Sequence, residues 1–138
     1  MKTVLRNVIA AIAGILLGGV VNMALVYAGG ALMPPPAGVN VSDPASIDAH
    51  LGEYSVPQLL APFVAHAVGT LVGAAMAARL AVSRPLVPAL AVGGMFLLGG
   101  IAAVRMMPST PAWFAVLDLV VAYVPMALLG ARIGARRG

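Results

Sequence analysis

The chain alternates between long apolar runs and short polar or proline-bearing interruptions. The runs extend from about Val8 to Met33, broken once by Asn22, then Gln58 to Leu80, Pro85 to Met107 and Trp113 to Ile133. A helix rising 1.5 Å per residue crosses the bilayer hydrocarbon in about 20 residues. Each run meets that length, so the pattern predicts four spanning helices at about 8–33, 58–80, 85–107 and 113–133, with a loop over 34–57. The expected fold is an all-α integral membrane four-helix bundle, a single domain over 1–138. A rival reading of the first run is a cleaved leader with Val26-Tyr27-Ala28 as a small-x-small site. The run is longer than the 7–15 apolar residues usual for a leader, which favours the span.

The interruptions carry their own structure. Pro34-Pro35-Pro36 ends the first helix, because proline removes a ladder donor. Residues 37–56 are the one extended polar stretch, where Asp43-Pro44 reads as an N-cap and first helical residue. Ile47, Leu51 and Tyr54 follow at i, i+4 and i+7, and Gly52 is a stop signal. This predicts a short amphipathic helix on the membrane surface, in the first outer loop. Pro125 inside the fourth run predicts a kink, and Trp113 suits an interfacial anchor.

Small residues are spaced for close helix contact. Gly14 and Gly18 in the first run, and Ala65, Gly69, Gly73 and Ala77 in the second, each form a stripe that lets a neighbouring backbone approach. Gly93-Gly94 and Gly99-Gly100 predict that the third helix lies at the centre of the bundle. Small-residue stripes on more than two helices also favour self-association or a membrane partner subunit.

Composition sharpens the picture. Of 138 residues, 62% are hydrophobic and 9% charged, against roughly half and roughly a quarter in soluble domains. No cysteine is present, which excludes disulfides and thiol chemistry. The formal net charge is +4. Lys2, Arg6, Arg79, Arg84, Arg132, Arg136 and Arg137 fall on one side of a four-span topology, and Asp43, Asp48 and Glu53 on the other. The positive-inside rule then places both termini in the cytoplasm of a bacterial inner membrane, with the acidic loop outside. Juxtamembrane placement of the basic residues excludes a nucleic-acid surface and makes membrane lipid the expected partner.

The candidate chemistry lies in the few polar side chains inside the runs. Asn22, His66, Arg105 and Asp118 are placed to meet in the outer half of the bundle, with Thr70 one turn from His66 and Tyr123 deeper than Asp118. A charge at mid-helix costs roughly 2.5–3.5 kcal/mol on insertion scales, so such groups face the interior. In one reading Arg105 and Asp118 form a salt bridge, with His66 and Asn22 as interhelical fasteners. In the other, His66 and Asp118 line an outward-opening pocket or proton-active site that Tyr123 extends.

Other chemistry is not expected. Asp48, His50 and Glu53 have generic spacing and read as a solvated face, so neither a metal nor a cofactor is predicted. No nucleophile stands beside a base, and no His-x-x-x-His, Gly-x-Ser-x-Gly or phosphate-loop motif occurs, so an enzyme is not expected.

Two segments resemble a family of small, uncharacterised four-span bacterial inner-membrane proteins: Ala61 to Ala74, APFVAHAVGTLVGA, and the final run with Trp113-Phe114, Asp118-Leu119 and Ala122 to Ala127. The resemblance implies the topology and no activity, cofactor or site residue. The expected function is therefore a small-solute, ion or lipid-binding carrier or pore using the polar cluster. The alternatives are an accessory or assembly subunit without a substrate and, last, an intramembrane enzyme.

Overall fold

The computed structural model describes residues 2–135. Arg136 and Arg137, counted above among the basic residues on one side of the topology, lie outside the described residues. The elements are α1 (Lys2–Leu32), α2 (Pro44–Ala49), a 3-10 turn (Leu51–Glu53), α3 (Val56–Leu80), α4 (Leu86–Met106), α5 (Ala112–Val121) and α6 (Val124–Gly134), with no strand among the described residues. Four helical stretches are long and apolar enough to cross a membrane: α1, α3, α4, and α5 with α6 taken together over Ala112–Gly134.

Each helix ends where local chemistry stops it. Pro34 to Pro36 follow α1, and the carbonyl of Pro34 accepts a 2.6 Å hydrogen bond from the Gln58 amide at the start of α3. The same Gln58 side chain accepts from the Ser55 backbone N–H at 2.8 Å, which caps α3. In the loop, the Asp43 carboxylate accepts from the Ala45 N–H at 3.0 Å and Pro44 opens α2. This helix ends at Ala49, three residues before Gly52, and the chain tightens into the 3-10 turn. Asp48 accepts from the Ser109 N–H at 2.8 Å, fastening the loop to the α4–α5 turn. At the opposite end Asn7 donates to the Ser83 carbonyl at 2.8 Å and accepts from the Val82 N–H at 3.1 Å, holding α1 to the α3–α4 turn.

Helix α3, not α4, is the central helix: it packs on α1 along one side and on α6 and α4 along the others. Glycines allow the close approach to α1. A methyl group added to Gly18 would lie 2.6 Å from the Gly69 carbonyl oxygen, and one on Gly73 would lie 2.5 Å from that of Gly14. Ala65 and Ala77 are fully buried on α3. The main cluster is mostly alanine, with Ala74, Ala77, Ala89, Ala127 and Ala131 around Val92. On α4 the expectation of a central position fails for a visible reason. Gly93 and Gly100 face Ala127 and Tyr123, but a methyl group added to Gly94 or Gly99 would meet nothing within 4 Å.

Large apolar side chains point outward instead. Leu16 and Val20 of α1, Leu98 of α4, Val116 of α5 and Ile133 of α6 are each more than half exposed. A soluble monomer rarely presents so extensive an apolar exterior.

Candidate functional site: a buried histidine, aspartate and tyrosine

The kink at Pro125 is a full break. α5 stops at Val121, Ala122 and Tyr123 form a turn, and α6 restarts at Val124. The physical cause is the missing proline N–H and the ring's conflict with the carbonyl four residues earlier, that of Val121. The consequence concerns side chains. In an unbroken helix, residues five apart point about 140° away from each other. Across this break, Asp118 and Tyr123 converge, and the Tyr123 hydroxyl donates to Asp118 Oδ2 at 2.8 Å.

Helix α3 supplies the third member. His66 Nδ1 lies 2.8 Å from Asp118 Oδ1 and 3.2 Å from the Tyr123 oxygen. The imidazole and phenol rings stack with centroids 5.9 Å apart. Both Asp118 oxygens are thus engaged, and the residue is 2% exposed. With Asp118 ionised and His66 neutral, these distances are met by one tautomer. Nδ1 carries the proton and donates to the carboxylate, the single phenol proton goes to Oδ2, and Nε2 keeps its lone pair. Nε2 makes no hydrogen bond to the described residues, and the His66 side chain is 27% exposed.

Sequence reasoning overlooked what positions Tyr123. A methyl group on Gly100 would lie 2.5 Å from the Tyr123 hydroxyl oxygen, so α4 makes room for the phenol by carrying glycine there. Phe63, Phe96, Leu97, Leu119 and Met126 pack against the cluster that Tyr123 forms with Ala67 and Ala122. The usable signal was the spacing of Gly93 and Gly100, two turns apart on one face of α4.

A cavity of about 170 Å³ adjoins this cluster, with His66 and Tyr123 in its wall and Asn22 opposite on α1. The Asn22 amide oxygen is buried without a partner. Gly19 and Gly99, where an added methyl would touch nothing, leave the cavity open along the seam between α1 and α4. A larger open cleft of about 400 Å³ lies at the other end of the bundle, beside Arg6 and Ser83, away from these groups.

The remaining candidates are placed elsewhere. The expected ion pair between Arg105 and Asp118 is not formed: Arg105 is exposed in the last turn of α4, and Asp118 is held by His66 and Tyr123 instead. Thr70 is fully buried, and its hydroxyl donates to the His66 carbonyl at 2.8 Å, so it serves the helix and does not line the cavity. In the loop, His50 Nδ1 lies 2.8 Å from the Ser46 carbonyl, and no group of three metal-ligating side chains is gathered among the described residues.

Compared with known protein families, curated proteins and solved structures, the chain matches none. Function must therefore be argued from the site itself.

Proposed function

We propose that this chain is a multi-pass protein of a bacterial inner membrane, with both termini cytoplasmic and the 33–55 segment outside. In this reading it is a carrier for a small solute or ion, and the His66–Asp118–Tyr123 cluster is its proton-responsive binding site. His66 is ten residues into the 25-residue α3, about 15 Å from that helix's start, which supports a site close to the bilayer's middle on its outer side.

The supporting observation is the pairing of a held imidazole with open space. A structural fastener uses its donors and acceptors within the protein. Here Asp118 and Tyr123 are satisfied, while His66, whose Nε2 makes no hydrogen bond to the described residues, stands in a cavity wall with Asn22, whose buried amide oxygen has no partner. Imidazole is the side chain that changes charge near neutral pH, and intramembrane ionisable groups characteristically mark solute and proton paths.

Liposomes that contain the protein and an internal pH dye test the reading. Amines, alkali cations, carboxylates and sugars are added outside in turn. A carrier gives solute-dependent dye signals that disappear in His66→Ala and Asp118→Asn. Silence for every class, together with a stoichiometric partner chain on purification, would assign the protein to the accessory subunits instead.

A further inference from the structure

We propose that the cavity between α1 and α4 is a site for a small primary alkylammonium ion, and that this cation and a proton on His66 compete for the charge of Asp118. The inference rests on the carrier reading and names the solute class.

Charge comes first. Asp118 is buried with an imidazole and a phenol as its hydrogen-bond donors, and neither is a permanent cation. The facing groups can be gone through element by element. α3 contributes His66 and the α5–α6 turn Tyr123, while Asp118 of α5 is buried outside the wall and bonded to both. On α1 the polar group is the neutral Asn22, and α4 presents only Phe96, Gly99, Gly100 and Ala103 to the cavity. No Lys or Arg among the described residues lines it, and the nearest basic residue along α4, Arg105, is exposed. With His66 neutral the cluster therefore carries one uncompensated negative charge in a low-dielectric setting, which selects for a cation.

Hydrogen bonding comes second. With Nδ1 engaged by Asp118, the acceptor His66 has left is Nε2, so an occupant that meets it must bring a donor. An ammonium head supplies three. An alkali ion supplies none and would need several oxygen ligands. Shape comes third. The rest of the wall is apolar and aromatic, with the Phe96 and Tyr123 rings beside the space, and aromatic faces attract organic cations. A cavity of about 150 Å³ holds a benzene-sized molecule, so 170 Å³ suits an amine with a short hydrocarbon tail.

Competition follows from the same geometry. When Nε2 takes up a proton, the imidazolium neutralises Asp118 and turns its acceptor toward the cavity into a donor. The ammonium is then repelled. When the ammonium binds, the proton on Nε2 leaves to water. An alkylammonium itself stays charged across this range, as a lysine side chain does to about pH 10.4.

The test is calorimetry on the full chain in nanodiscs, with n-butylammonium, n-butanol and n-butyrate as probes from about pH 5.5 to 8.5, across the histidine range. The expected result is saturable binding of butylammonium that strengthens as pH rises, with proton release at the lower end. Butanol should bind about tenfold or more weakly, since a charge-assisted hydrogen bond is lost, and butyrate not at all. Gly99→Leu, which fills the cavity at a position where added carbon meets nothing, should abolish binding in a protein that still folds. Butanol binding as tightly as butylammonium, affinity indifferent to pH, or full binding by Gly99→Leu would each overturn the proposal. The two readings separate cleanly. Flux of another solute that needs His66 and Asp118, with no butylammonium binding, retains the carrier and removes the amine. Butylammonium binding without flux of any solute retains the site and removes the carrier.

Discussion

At the scale of the residue, the cluster depends on side chains with no chemistry of their own. Gly100 is the clearest case, because the space its missing Cβ leaves is where the Tyr123 hydroxyl sits. Gly100→Ala is expected to push the phenol away from Asp118 and to destabilise the protein by about 1–3 kcal/mol, the usual cost of overpacking. Thermal unfolding in detergent measures it. Tyr123→Phe removes the donor to Asp118 Oδ2 while keeping the ring, and should cost about 1–3 kcal/mol for a buried acceptor left unpaired. If both variants melt with the parent, the hydroxyl has no structural role. Among the polar residues, Asn22, His66, Asp118 and Tyr123 were legible in the sequence, because polar groups inside apolar runs must face the interior. Their partners were not legible. Arg105 was the natural counter-ion by charge alone, but it stands exposed at the end of α4, and a histidine takes its place.

At the scale of the element, the decisive feature is the interruption between α5 and α6. Pro125 signalled a bend, and the four apolar runs gave the helix ends to within two residues, except that α1 begins at Lys2, six residues before Val8. The swing that brings Asp118 and Tyr123 together across five positions depends on the turn's actual dihedrals, with Tyr123 at φ −113° and ψ −77°. Periodicity carries no such information. Pro125→Ala restores the missing N–H and is expected to favour a continuous helix, separating Tyr123 from Asp118. The stacking of Tyr123 on His66 should then be lost from NMR ring-current shifts, and an unchanged spectrum would contradict the account of the break. Glycine position offers a second contrast. Gly73→Ala places a methyl against the α1 backbone and should destabilise by about 1–3 kcal/mol, whereas Gly94→Ala meets nothing and should be neutral or gain up to about 1 kcal/mol of helix propensity. Sequence stripes alone did not distinguish these two glycines, since both sit in small-residue runs on helices; only the direction of each face does.

At the scale of the whole molecule, the alanine-rich interior and apolar exterior describe a bundle whose packing does not need water to drive it. Its polar fasteners lie at the two ends, Asn7 on Ser83 and Val82 at one, Asp48 on Ser109 and Gln58 on Pro34 at the other. Between them the triad is the polar centre. The proposed topology predicts that a cysteine at Ser42 reacts with an impermeant maleimide on intact cells and one at Ser83 only after lysis; the reverse pattern would invert the orientation. The central claim is that this bundle holds one imidazole by its Nδ1 proton and leaves Nε2 without a partner from the chain. Solid-state ¹⁵N NMR of histidine-labelled protein in lipid bilayers tests it most directly, in a His50→Gln background so that His66 alone reports. The account predicts that the neutral ring carries its proton on Nδ1, with Nε2 bare. A spectrum showing the opposite tautomer would contradict it.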